Sequence, residues 1–463
     1  MMIENEWDPH ISYPDTMITG NATLLRTIKL WDTDYVFSPT IQKYRESILK
    51  VSTVTDIELL LPQIVSSMQI HRGYCPRDTL LAKCTTSSMY ISLFWTALTE
   101  FERNIDPVYQ TFTTKLLAIT KANKARGQFD VLQKQGELVE LLIRISATVR
   151  EIRVGVSRKR QYLQQMLREH DWHLQIPLPV ISKLLVSDVV VDECHVFDSQ
   201  FNPLLMTFCT TEKSKVKVLF KSGNDLRQDR LIQQTVNIMD MILKEHGLFM
   251  HIVTYDVCST GLQHGFIEFV ESRSLESVLS SEHQLASVLR DPISGNIDTE
   301  KMERFILSTA AYTVMTYILC IGDRHLDNIM LTPDGRLFHI DFGFVGREPK
   351  PFAPEIRLCS EILEALGGKQ SDHYMTFMHR CVQCFMTLRK NYTLFIDPLH
   401  LMTEAGLADI SPKYLTMIQK RLLLQDTDPQ AYTQLMRLVD RSFDLLLPRL
   451  MDAFHSTWKV FTK

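Results

Sequence analysis

Two short stretches carry the residue types that phosphoryl transfer needs: Gly322-Asp323-Arg324-His325-Leu326-Asp327-Asn328 and His339-Ile340-Asp341-Phe342-Gly343. Each borders an apolar stretch of strand character, and Pro333-Asp334-Gly335 supplies the turn between them. Moving a γ-phosphoryl group asks a protein for charge neutralisation and in-line positioning more than for covalent chemistry. Asn328 and Asp341 offer hard oxygen ligands for a divalent cation, magnesium or manganese. Asp323 and His325, flanking Arg324 in the same catalytic loop, fall where an acceptor hydroxyl would arrive. Imidazole ionises near neutrality, which favours His325 as the base, with Asp323 its rival. The pattern reads as a kinase.

The order Asp323-Arg324-His325, with Asn328 three residues later, inverts the His-Arg-Asp order of ordinary protein kinases. Both common phosphate-cradling glycine motifs are missing, so a nucleotide must be held by other groups. Lys221, ending the apolar run Val218-Leu-Phe, can reach phosphate oxygens as a point charge. Asp229, at the start of the following helix, can orient that ammonium.

In the inverted loop and in Ser222-Gly-Asn-Asp-Leu-Arg-Gln-Asp229 the sequence resembles the phosphatidylinositol 3-/4-kinase superfamily. The resemblance implies ATP as donor. It would pair adenine with the backbone of Glu268 and Val270 on the His264-Gly-Phe-Ile-Glu-Phe-Val270 hinge strand. Tyr255 would line the inner pocket beside Asp229, and Ser199, on the Asp198-Ser-Gln-Phe-Asn-Pro203 turn, would meet the phosphates. Met330 and Ile340 would lie beneath the purine.

The segment after Asp341 reads Phe-Gly-Phe344-Val-Gly-Arg347-Glu348-Pro-Lys350-Pro-Phe-Ala-Pro354 and carries only Arg347 and Lys350 as cations. A headgroup already bearing phosphates would demand more positive charge, so these two suit the single phosphodiester of unmodified phosphatidylinositol. The run resembles class III phosphatidylinositol 3-kinases, one residue shorter after Phe344 and with Glu348 in place of their Asp. Ser38-Pro-Thr-Ile-Gln-Lys-Tyr44 and Asp56-Ile-Glu-Leu-Leu-Leu-Pro-Gln-Ile-Val65 resemble the helical domain of that class. The implied activity is transfer to the 3-hydroxyl of phosphatidylinositol, in the cytoplasm, peripherally on endosomal or autophagosomal membranes. The implied partners are membrane phosphatidylinositol and regulatory subunits of protein-kinase-like and autophagy or trafficking type. No segment resembles the family's N-terminal lipid-binding β-sandwich, so the expectation is a reduced form or a truncated start. The rival readings are a phosphatidylinositol 4-kinase, a related serine/threonine protein kinase, and a pseudokinase scaffold.

These loops need a frame. Residues 1–172 read as helical: Ile57, Leu60, Leu61, Ile64, Val65 and Met68 recur at helical spacing, and further helices are expected over 89–101, 108–120 and 132–149. Antiparallel helices in succession predict a solenoid. From 173 the pattern turns β-rich, with strands expected over 189–197, 204–210, 215–221, 251–258 and 264–270 and a helix near 226–243. A long helix over 299–321 leads into the catalytic loop. The expected architecture is α+β: a helical solenoid, then a two-lobed protein-kinase-like domain over 173–463, its lobes meeting between 270 and 271. An amphipathic stretch over 443–461 ends in Trp458-Lys-Val-Phe461 and suits a membrane interface or a packed terminal helix.

Composition narrows the partners. The net charge of −4 gives no overall pull toward nucleic acid, and none is expected as a partner. The densest basic cluster, Arg150, Arg153, Arg158, Lys159 and Arg160, reads as a solvated helix end. Nine scattered cysteines, including Cys381 and Cys384 within a helical pattern, read as buried thiols rather than zinc ligands or disulfides. No apolar run is long enough for a membrane span, and the acidic start lacks signal-peptide features.

Overall fold

The computed structural model describes residues 23–32, 39–69, 77–84, 87–123, 126–346, 355–356 and 358–443. The first part is helical, with helices at Pro39–Val51, Val54–Leu59, Leu61–Ser66, Arg77–Cys84, Met89–Asn104, Pro107–Ala122, Gln128–Glu151 and Val156–Arg168. From Met89 onward each helix packs on the next. All six apolar residues from Ile57 to Met68 are buried, as their spacing predicts. They nevertheless belong to two short helices rather than one. Pro62 in the first turn of the second lacks the amide that would continue the first, and Leu60 between them leaves helical geometry at φ −107°.

The sheet begins at β1 (Ile176–Pro177) and continues through β2 (Leu185–Val189), β3 (His195–Val196), β4 (Leu204–Thr210), β5 (Lys215–Ser222), β6 (Val257–Gly261) and β7 (His264–Glu268). All pairings are antiparallel, in the order β1-β2-β4-β5-β7-β6, with β3 also on β4. The strand expected over 189–197 is split by a turn of 3-10 helix at Val191–Glu193. Helix Val156–Arg168 draws that turn outward, because Arg160 and Gln164 donate to the Asp192 carbonyl and Arg168 pairs with its carboxylate. Of the strand expected over 251–258 only the end pairs, as β6; His251 at φ 49° breaks the extended run.

A second, smaller sheet, β10-β9-β8, is built from β8 (Arg273–Ser274), β9 (Ile329–Leu331) and β10 (Leu337–His339). It rests on helix Thr299–Ile318, which starts at Asp298, whose carboxylate caps the Glu300 and Lys301 amides at 3.0 and 3.1 Å. That helix stops short of Ile321, since Cys320 turns left-handed at φ 50° and redirects the chain into the catalytic loop. Behind it packs Asp372–Lys390, with Cys381 and Cys384 fully enclosed.

Helix Arg227–Glu245 lies where all parts meet, against β6, Asp372–Lys390 and Thr393–His400. The basic cluster is not simply solvated. Arg150 donates to Ser222 Oγ (3.2 Å) and Lys159 to Asn202 Oδ1 (2.6 Å), docking the helical part on the sheet. Of the expected terminal amphipathic stretch only Phe443 falls within the described residues. Its ring stands edge-on to Tyr374 and Phe377.

Candidate active site

Residues 322–328 and 340–346 are stitched together along their length. β9 and β10 pair Ile329 with His339, and the Ile340 amide then donates to the Asn328 carbonyl at 3.1 Å. Further out, the Gly322 amide donates to Phe344 (2.9 Å), the Gly346 amide to Cys320 (3.0 Å), and Ile321 bridges Val345. Asn328 and Asp341 therefore sit one step out of register at the open end of a hairpin. Asp323 and Asp341 both hold left-handed backbone, φ 51° and 61°, which non-glycine residues keep only where the surroundings enforce it.

Arg324 does much of the enforcing. Its buried guanidinium donates to the carbonyls of Gly322 (2.8 Å), Ile340 (2.7 Å) and Asp341, and lies over the Phe342 ring. Burial depresses its pKa to about 10, and the nearby Asp341 and Asp323 charges pull it back up. Expected in the catalytic loop beside Asp323 and His325, Arg324 spends its side chain on carbonyls and clamps one loop to the other.

Asn328 is buried, and its Nδ2 donates to the Asp323 carbonyl and to His325 Nε2, both at 3.0 Å. That leaves Oδ1 as the end presented to a cation. Because His325 accepts through Nε2, its proton sits on Nδ1, which lies 3.8 Å from the Asp327 carboxylate. The Asp323 and Asp341 residues are exposed, and among the described residues Asp341 Oδ1 takes only a long bond from the Gly343 amide (3.4 Å). No cluster of three His, Cys, Asp or Glu suited to a metal occurs among the described residues. An amide oxygen with one carboxylate fits a hard cation that keeps water and phosphate oxygens as its remaining ligands, the habit of magnesium and manganese, and does not fit a softer metal such as zinc or copper.

The opposite wall comes from the sheet and from helix Arg227–Glu245. Lys221 lies on β5 with backbone partner Gly265, and no hydrogen bond of its ammonium is present among the described residues. Asp229 is fully buried; desolvation raises its pKa, opposed by the Lys221 charge and reinforced by that of Asp341. Asp229 Oδ1 accepts the Phe342 amide at 3.1 Å. Tyr255 lies beside it, buried, its hydroxyl pushed up by desolvation and by the Asp229 charge. Its ring meets Phe338 edge-on at 6.3 Å. Phe338 is paired with Met330, and Ile340 shares their face by strand alternation, so these apolar groups form one floor under Tyr255.

The Glu268 amide donates to Asp256 (2.9 Å), so a base could meet only its carbonyl, whereas the Val270 amide bonds to nothing among the described residues. Ser199 is exposed at the tip of the β3–β4 turn, its carbonyl capped by Asn202. Arg347 and Lys350 lie outside the described residues. Sequence reasoning missed Gln228 and Asp409. Gln228 Nε2 donates to the Phe342 carbonyl (2.9 Å) and to Asp409 (3.3 Å), whose carboxylate also accepts the Val345 amide (3.4 Å). Gln228 stood in plain view within the quoted motif. Asp409, far along the chain, gave no signal.

A profile of the family described as phosphatidylinositol 3- and 4-kinase matches residues 215–300 and 293–411, which include both loops, Lys221 and Asp229. The fission-yeast protein named phosphatidylinositol 3-kinase pik3 is 32% identical over 449 residues, covering 90% of this chain and 56% of its own length. Residues 215–411 of this chain belong to the phosphatidylinositol 3- and 4-kinase family. Phosphatidylinositol 3-kinase VPS34 of Arabidopsis thaliana is 31% identical over 444 residues, and that of Saccharomyces cerevisiae 32% over 455, with 54% and 49% of their lengths covered. The chain spans about half the length of the curated relatives it matches. Kinases of this family use ATP with a divalent cation. No helix among the described residues is long and apolar enough to cross a membrane.

Proposed function

We propose that this chain is the catalytic part of a class III phosphatidylinositol 3-kinase, transferring the γ-phosphate of ATP to the 3-hydroxyl of phosphatidylinositol to make phosphatidylinositol 3-phosphate. The observation that supports the reading is the hairpin pairing that carries Asn328 and Asp341 on adjacent strands, with Asp229 bonded to the amide of Phe342 next to Asp341. In this reading the solenoid-like residues 1–172 support a catalytic unit over 173–463, and the protein works peripherally on endosomal or autophagosomal membranes with trafficking or autophagy subunits.

Asn328 Oδ1 and the Asp341 carboxylate would hold magnesium or manganese, which when bound neutralises phosphate charge. Lys221 bonds the α- and β-phosphates, kept in place by the Asp229 charge. The Ser199 turn closes over them, and adenine meets the Glu268 carbonyl and the free Val270 amide. Arg347 and Lys350 gather the lipid phosphodiester. The 3-hydroxyl gives its proton to His325 at Nε2, which the Asn328 amide must first release, or to Asp323 beside it. Arg324 touches none of the reactants and holds the two loops in register.

Incubation of the full chain with radiolabelled ATP and vesicles of phosphatidylinositol, its 4-phosphate or its 4,5-bisphosphate tests this directly. Chromatography of the deacylated products should show the 3-phosphate from the unmodified lipid alone. A 4-phosphate product, or labelling of protein without labelling of lipid, would replace this reading with one of its rivals.

A further inference from the structure

Helix Arg227–Glu245 faces two ways. At about 100° per residue, Arg227, Arg230 and Gln234 share one narrow stripe, and Asp229 points away from it. The stripe is bonded along its length to the helical region. Arg227 forks onto Asp225 (Nη2 to Oδ2, 2.6 Å) and reaches Glu100 (3.3 Å) and the Ala405 carbonyl (3.2 Å). Glu100 is itself buried and tied to Arg103 at 2.9 Å. One turn on, Arg230 Nη1 donates to Thr96 Oγ1 at 2.8 Å. A turn further, Gln234 and Gln63 exchange amide bonds of 2.8 and 2.9 Å, and Gln234 also donates to the Leu59 carbonyl. On the far side, Asp229 holds the amide of Phe342 and Gln228 its carbonyl. Phe342 directly follows Asp341.

We propose that this polar seam is a positioning element for the cation-holding loop: by bonding Arg227, Arg230 and Gln234, the helical region fixes the helix whose first turn grips Phe342 and so sets where Asp341 stands. The inference rests on the kinase reading given above. Apolar contacts tolerate sliding, whereas buried polar pairs are directional and costly to leave unmade, so the seam admits one register. Gripping Phe342 at both backbone atoms passes any roll of the helix straight to that loop. The helical region is thereby a working part of the site.

Hydrogen exchange read by mass spectrometry on the full chain tests this, with turnover measured alongside. The double variant Thr96→Val, Gln63→Leu removes seam partners without touching the reaction centre. Glu102→Gln is the control. It weakens a bond from the helical region to the Leu262 amide (3.0 Å), off the seam. The double variant should exchange ~10-fold faster over residues 340–346 while 329–339 keeps its protection. The magnesium concentration for half-maximal turnover should rise by a similar factor, with kcat at saturation little changed. Glu102→Gln should alter neither. Unchanged exchange over 340–346 overturns the proposal, as does an equal rise in Glu102→Gln. Should the double variant unfold, Thr96→Val alone is read by the same criteria. If the parent chain transfers no phosphate yet exchange responds as stated, the kinase reading fails and the positioning inference survives.

Discussion

Asp229 is a carboxylate placed against its own solvation. Desolvation raises its folded-state pKa, so the unfolded chain releases the proton more readily and the ionised form costs stability at neutral pH. That cost is relieved as pH falls through the folded-state value. Asp229→Asn should keep an oxygen for the Phe342 amide, so its melting temperature at neutral pH should equal or exceed the parent's. The gap should close as the buffer is made acidic, because protonation brings the parent to the same neutral state. Lys221 loses its partner in that variant, and turnover should fall about 100-fold with a raised KM for ATP. A variant both less stable at neutral pH and fully active would remove Asp229 from the site. Arg324 makes the contrasting case. Arg324→Lys cannot reach three carbonyls from one ammonium, and should lose about 2–4 kcal/mol of stability in denaturant titration, with turnover falling alongside. The sequence motif revealed that Asp323, Arg324 and His325 belong together. It could not reveal that the middle residue faces inward, because the motif carries no record of the φ 51° turn at Asp323 that sends the side chain there.

At the scale of elements, the hairpin that carries Asn328 and Asp341 depends on the turn between its strands. Gly335 has φ +90°, and a Cβ there would stand 2.6 Å from the Lys301 carbonyl of the underlying helix. Gly335→Ala should therefore cost about 2–4 kcal/mol, by strain and by lifting the hairpin off its support. Thermal unfolding would register the loss, and a stability change below about 0.5 kcal/mol would mean the turn is not seated as described. The turn and its flanking strands were legible in the sequence, since Pro-Asp-Gly between apolar runs has a mechanism behind it. The same is true of helix 299–318, apart from its end. The errors share one cause. Over 54–68 the apolar period stayed intact while Pro62 divided the helix, and over 189–197 strand-like composition was overridden by Arg160, Gln164 and Arg168 drawing Asp192 outward. Local pattern reports which residues face inward. Tertiary partners decide where the backbone breaks.

At the scale of the molecule, the sheet ends at β6, and an exposed end strand offers unpaired backbone to other chains. Helix Met89–Asn104 packs along that strand, with Thr99 Oγ1 reaching the Ser259 carbonyl and Glu102 the Leu262 amide. The helical region thus covers the sheet edge as well as neutralising Arg227 and receiving Arg230. Residues 173–463 produced alone would leave those two guanidinium groups without Glu100 and Thr96 and would bare the β6 edge. Arg227 keeps Asp225 and both guanidinium groups gain water, so the loss is chiefly of buried contact, and a marginal stability of about 5–15 kcal/mol leaves little to absorb it. The isolated segment should accumulate as aggregate when expressed. Co-expression with residues 1–172 as a separate chain should recover soluble material, because the lost contacts are non-covalent. Sedimentation of the soluble fraction distinguishes the outcomes. A monomeric segment 173–463 melting within a few degrees of the full chain would show that the catalytic unit needs no such cover, and that the helical part is joined to it by sequence more than by energy.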